Sequence, residues 1–179
     1  MQNEIVEILL TEEQIQNRIK EMAAQINEEY AGKNPIFVGV LRGVVVFFSD
    51  FIRQFNDYCQ IDFMCISSYR GANSTGECIM TKDTSLELRD RHVIILEDIF
   101  DTGKSLDFTY HVLQAKHPES LKVVTLLDKP ERRKPWVTLK PDYVGFTIPD
   151  KFVVGYGLDY NERFRNLPYI AVVDPNKTK

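Results

Sequence analysis

The chain has few of the residues that would place it in an oxidising compartment or around a transition metal. Among its 179 residues there are three cysteines, Cys59, Cys65 and Cys78, an odd number with neither CxxC nor zinc-ribbon spacing. They read as reduced thiols, which excludes a disulfide-stapled scaffold. The three histidines, His92, His111 and His117, are too scattered for a transition-metal site. No apolar run approaches the ~20 residues that a membrane span needs. The opening MQNEIVEILLTEEQ has no basic n-region and no long apolar h-region, so a secretory signal is not expected. Internal repeats and low-complexity linkers are missing too. Excess positive charge is also lacking: the net charge is −4, which argues against a general nucleic-acid coat. These absences predict a cytoplasmic protein with neither a membrane nor a nucleic acid as partner.

Apolar residues, in contrast, are plentiful. At 44% hydrophobic residues the chain can bury a substantial core, and its length suits one domain over 1–179. Thr11-Glu12-Glu13-Gln14 has the form of a capping box, and Ile15, Ile19, Met22, Ala23 and Ile26 follow at helical spacing. A helix is expected from there to about Tyr30, with Gly32 as its stop. Pro35 to Leu41 reads as a buried strand, Gly43 to Phe55 as a helix, and Tyr58 to Ile66 as a second strand. Ser67 to Ser85 is polar and glycine-bearing, a long loop or loose hairpin of the kind often used as a lid. Val93 to Leu96 is a third strand, Leu106, Tyr110 and Leu113 mark a helix ending near His117-Pro118, and Leu121 to Leu127 is a fourth strand. Alternation of this kind predicts an α/β fold with a parallel, doubly wound sheet flanked by helices. Tyr143–Ile148, Phe152–Val154 and Tyr169–Val173 are strand-like and suit an edge strand and a small hood over the sheet. Asn176 to Lys179 should fray.

The chemistry concentrates in Ile94-Ile95-Leu96-Glu97-Asp98-Ile99-Phe100-Asp101-Thr102-Gly103-Lys104-Ser105-Leu106. A buried strand runs into two adjacent carboxylates, then a third, then a small-residue turn that opens a helix. Ligands of open α/β sheets bind at the carboxyl ends of strands, where this turn falls. The backbone N–H groups of Thr102, Gly103, Lys104 and Ser105, the two hydroxyls and the helix N-terminus suit a phosphate monoester. Glu97 and Asp98 would repel that phosphate, so their better use is to hold a ribose diol, directly or through hydrated magnesium. A nucleotide-triphosphatase loop is excluded although Gly103-Lys104-Ser105 spells GKS. That motif requires a glycine where this chain has Asp98. Helix capping alone accounts for Asp101 and Thr102, but not for paired acids after an apolar strand.

LEDIFDTGKSL resembles the phosphoribosyl-pyrophosphate motif of type I phosphoribosyltransferases. From about Phe37 to Val173 the chain is similar to the hypoxanthine-guanine phosphoribosyltransferases. The further matching pieces are Leu41-Arg42-Gly43, Ser67-Ser68-Tyr69, Leu127-Asp128-Lys129-Pro130 and the run Pro149 to Tyr160. The resemblance implies purine salvage: transfer of 5-phosphoribosyl from phosphoribosyl pyrophosphate to a 6-oxopurine, with Mg2+ and release of pyrophosphate. It makes Asp101 the general acid/base at N7 of the purine and Glu97, Asp98 and Asp159 the metal-facing acids. Arg42, Gly43 and Arg165 become pyrophosphate contacts, with a cis peptide expected between Leu41 and Arg42. Lys129 would read the 6-oxygen, which an ammonium can serve only as donor. Phe152 would stack on the base, Val153 would meet its edge through the backbone carbonyl, and Ser68-Tyr69 would begin the lid. Phe100 and Ser105 depart from the aliphatic and threonine common at those positions, with their character kept. A homodimer or homotetramer is implied as well.

Two competing functions follow from the same residues. One is a regulatory protein on this fold that senses phosphoribosyl pyrophosphate and binds RNA or DNA, against which the complete base pocket and the acidic balance stand. The other is an enzyme with another acceptor: Lys129 disfavours adenine, and xanthine stays open.

Overall fold

A computed structural model of the chain describes residues 4–68 and 78–174. Thr11 caps helix α1 (Glu12–Tyr30): its hydroxyl accepts from the Gln14 N–H, and the Gln14 side chain accepts from the Thr11 N–H. That is the capping box expected from the sequence. The apolar stripe that follows is buried from Ile15 to Tyr30.

Five strands run parallel: β2 (Ile36–Leu41), β3 (Gln60–Ser68), β5 (His92–Phe100), β6 (Ser120–Asp128) and β7 (Tyr143–Thr147). The sixth, β4 (Cys78–Lys82), lies antiparallel on the β3 edge, and the order across the sheet is β4-β3-β2-β5-β6-β7. At the end of that pairing Ser68 lies opposite Cys78, and the expected lid between them, from Tyr69 on, falls outside the described residues.

Both faces of the sheet are covered, as buried parallel strands require. Helices α1 and α2 (Val45–Ile52) pack on one face against Phe37, Ile94, Leu96 and Val124. Helix α3 (Lys104–Gln114) packs on the other, where Leu106 and Leu113 meet Val38, Val93, Ile95 and Val123. The alternation along β5 sends odd and even residues to opposite sides. The chain winds from β2 to β3 in one direction and from β5 to β6 in the other. The carboxyl ends of β2 and β5, where the winding reverses, therefore form the crevice in which such sheets bind ligands.

A second, antiparallel sheet combines β1 (Ile5–Leu10), β9 (Ile170–Val173) and the two-residue β8 (Val153–Val154) in the order β1-β9-β8. Strand β1 is not foreseen by the sequence reading, because Val6 and Ile8 stay exposed and leave no alternating pattern to detect.

One boundary changes the chemistry. The sequence reading ends the third strand at Leu96 and puts Glu97 and Asp98 beyond it. Strand β5 instead continues to Phe100, paired in register with Asp128, so both acids lie within the strand and are buried (7% and 9% exposed).

Candidate active site

The turn after β2 and the turn after β5 meet at the crevice. The Leu41–Arg42 peptide is cis. A Cβ on Gly43 would lie 2.0 Å from Asp98 Oδ2, so only glycine allows the turn after β2 to approach the end of β5 this closely. Gly157 closes the third side: with φ +97° and a notional Cβ 2.0 Å from the Gly43 carbonyl oxygen, its backbone sits directly on that of Gly43. Arg165 fixes this arrangement by donating to the Gly157 carbonyl (2.8 Å) and pairing with Asp159 (2.8 Å).

A cavity of about 620 Å3 opens above these contacts. Of the residues singled out in the sequence, Arg42, Gly43, Asp98, Asp101, Lys129, Phe152, Val153, Asp159 and Arg165 line it. A smaller recess beside it is lined by Glu97, Asp101, Thr102, Gly103 and Ser105. Asp101 alone of the singled-out residues borders both. The side chain of Lys104 borders neither; its ammonium lies 5.7 Å from the centroid of the Trp136 ring. Ser68 ends β3, and Tyr69 lies outside the described residues.

Electrostatics set Glu97 and Asp98 apart from ordinary acids. Burial raises the Glu97 carboxyl well above its usual range, and the neighbouring Asp98 charge adds to the effect. Burial likewise pushes Asp98 up to about 6, against the Ile99 N–H and Arg165, which favour its charged form. Among the described residues, Glu97 Oε2 is buried with no hydrogen-bond partner. The two acids point to opposite sides of β5, Asp98 into the cavity with Asp159 and Glu97 into the recess. Among the described residues no three of His, Cys, Asp and Glu gather around one point, so the three acids read as metal-facing do not form a cluster.

Residues 6–161 match the phosphoribosyl transferase domain. The chain belongs to the phosphoribosyl transferase family. It is 49% identical over 176 residues to the hypoxanthine-guanine phosphoribosyltransferase of Staphylococcus aureus strain Mu50, covering 98% of this chain and 97% of that protein. A 44% match to the bifunctional protein TilS/HprT of Listeria innocua also covers 98% of this chain, which spans only 27% of that longer protein. Among solved structures, a hypoxanthine phosphoribosyltransferase from Staphylococcus aureus superposes with a TM-score of 0.93 at 47% identity, over 100% of this chain and 97% of that one. The Trypanosoma cruzi hypoxanthine phosphoribosyltransferase, in complex with the product IMP, does so with a TM-score of 0.89 at 42% identity, over 98% and 97%.

Seen as a phosphoribosyl transferase, the site contains groups that sequence reasoning did not single out. Arg132 Nε lies 3.3 Å from Asp101 Oδ1 and 3.8 Å from Asp150 Oδ1, and the ammonium of buried Lys129 lies 3.7 Å from that same Asp150 oxygen. Arg133 reaches under the β5 turn, donating to the carbonyls of Phe100 (3.0 Å) and Asp101 (2.7 Å). Phe152 is 42% exposed, with Tyr160 edge-on at 5.4 Å, so its ring is not a core strand residue. A run such as Glu131-Arg132-Arg133-Lys134 reads as a solvated charged stretch. The one available signal was its position just after a strand's carboxyl end.

Proposed function

We propose that the protein transfers 5-phosphoribosyl from phosphoribosyl pyrophosphate to N9 of hypoxanthine or guanine, giving IMP or GMP and pyrophosphate. The observation that carries this reading is the pair of adjoining cavities at the sheet's switch point, one phosphate-suited and one base-suited, with Asp101 on the border. The 5-phosphate takes the recess, against Thr102, Gly103, Ser105 and the start of α3. The purine takes the larger cavity, with the exposed Phe152 ring for stacking and the Lys129 ammonium for the 6-oxygen. Adenine offers donors at that position, which an ammonium cannot accept.

As the N9–C1′ bond forms, the C1′–oxygen bond to pyrophosphate breaks and positive charge grows on the purine. The Asp101 carboxylate takes the N7 proton and opposes that charge; in reverse it returns the proton. Arg42 and Arg165, on the cavity wall, receive the departing pyrophosphate. Magnesium suits the acids present. It takes oxygen ligands, keeps several waters and needs only one or two carboxylates, and a cation in the larger cavity would relieve the raised Asp98 beside Asp159. Asp98 and Asp159, which face the larger cavity together, are the residues that would hold it beside the pyrophosphate, where it would neutralise charge on the leaving group. Glu97, on the opposite side of β5, would meet only a separate ion in the recess. The whole chain serves as one catalytic domain, and the β1-β9-β8 sheet, which begins its β8 at Val153, supplies the cover over the base.

Hypoxanthine, guanine, xanthine and adenine assayed in parallel with phosphoribosyl pyrophosphate and magnesium test the proposal. The 6-oxopurines should turn over and adenine should not, and Asp101→Asn should lower kcat by about 10²–10⁴-fold. Binding of phosphoribosyl pyrophosphate without turnover of any base would overturn it.

A further inference from the structure

We infer that Arg133 is a positioning residue for Asp101, acting through the backbone of the β5–α3 turn and not on any substrate. The inference rests on the reading of Asp101 as the acid/base group. Arg133 borders neither cavity. Its Nη1 donates to the carbonyl oxygens of Phe100 and Asp101 at 3.0 and 2.7 Å, and its Nη2 pairs with the Asp128 carboxylate. The guanidinium lies over the Phe100 ring, with Cζ 3.1 Å from the centroid. Side chains of both Arg133 and Asp128 are only 16% exposed, so the pair is shielded from the screening that weakens surface ion pairs.

Neighbouring backbone groups extend the same hold. The Lys129 N–H also donates to the Phe100 carbonyl, and the Lys134 N–H donates to that of Thr102, each at 3.0 Å. The carbonyls of three successive residues, 100 to 102, are thus gripped by the segment that follows β6, and Arg133 is what reaches the middle one. Asp128 lies opposite Phe100 in the β5–β6 register, so the guanidinium ties the ends of both strands to the turn. An acid/base group must sit within fractions of an ångström of its proton, and the direction of the Asp101 side chain follows from its backbone. Only a planar fork can serve two carbonyls and a carboxylate while stacking on an aromatic ring; a lysine at this position could not. Lys129 begins the same segment, so the group that would read the 6-oxygen and the group that would take the N7 proton are set by one piece of chain.

A double-mutant cycle separates this role from mere support of the fold. Steady-state kinetics and melting temperatures are measured for the parent, Arg133→Gln, Arg133→Lys, Asp101→Asn and the double variant Asp101→Asn/Arg133→Gln. Arg133→Gln should lower kcat with hypoxanthine by about tenfold or more, and KM for phosphoribosyl pyrophosphate should change by less than about threefold. Arg133→Lys should recover little of that loss. The double variant should match Asp101→Asn to within about twofold, because the loss acts through Asp101. Should Arg133→Gln fail to fold, Arg133→Lys, which keeps the charge beside Asp128, takes its place in the cycle. Losses that multiply in the double variant, or an unchanged kcat in the single ones, overturn the positioning role and leave the proposed reaction standing. A parent that turns over no base overturns both.

Discussion

Glu97 is a carboxylate with one oxygen shut away from solvent and met by no donor among the described residues. Such a group favours its protonated form, and the cause is chiefly burial, with the Asp98 charge second. The linkage has a definite sign. Above about pH 4 an unfolded carboxyl gives up its proton, whereas folded Glu97 and Asp98 keep theirs, Asp98 to about 6. The folded state then binds more protons than the unfolded one, so rising pH through this window lowers stability. Glu97→Gln removes the conflict while keeping the shape. It should raise the melting temperature of the ligand-free protein by several degrees at pH 7, leave it nearly unchanged at pH 4, and depress turnover. Melts at both pH values decide the matter: an equal gain at each would mean that Glu97 is not the source. A site that is destabilising when empty is the usual exchange of stability for function.

At the scale of elements, the hairpin β3–β4 and the segment after it depend on one acid. Asp62 on β3 accepts from the N–H groups of Ser85 (2.6 Å), Leu86 (2.8 Å) and Phe63 (2.7 Å), and Lys82 lies 3.5 Å away. Burial alone would raise its pKa, but these donors outweigh burial and the net shift is downward. The stability it supplies is therefore present above the unfolded carboxyl range near pH 4 and is lost as pH falls through the lowered folded value. Asp62→Ala strands the Ser85 and Leu86 donors and should cost about 2–3 kcal/mol at pH 7. In denaturant titrations the gap between variant and parent should close in acid. Elements also show what a sequence can reveal. Helix α1 was legible because a capping box and a buried stripe agree. Strand β1 was not, since its only signal is pairing with β9, 160 or more residues further along. The β5 boundary was misread for a related reason. Two carboxylates look like a strand end, and only the pairing of Phe100 with Asp128 shows that the strand passes through them.

For the molecule as a whole, the strand–helix alternation was legible and with it the parallel sheet, the switch point and the turn that carries Asp101. The placement of Arg132 and Arg133 against Asp101 was not, because it comes from contacts with a residue some 30 positions earlier. The segment after β6 also has an optical use. The chain contains a single tryptophan, Trp136, 63% exposed, and the ammonium of the first residue of α3 stands over its indole. A dianion settling at the head of that helix redistributes charge beside the chromophore. The protein thus carries its own fluorophore beside the first residue of α3, the helix whose next residues line the recess. Titration with phosphoribosyl pyrophosphate and magnesium should shift its emission in a saturable way, and Trp136→Phe should silence the signal while turnover continues. Emission that stays flat through a titration supporting turnover would show that the indole does not sense the recess.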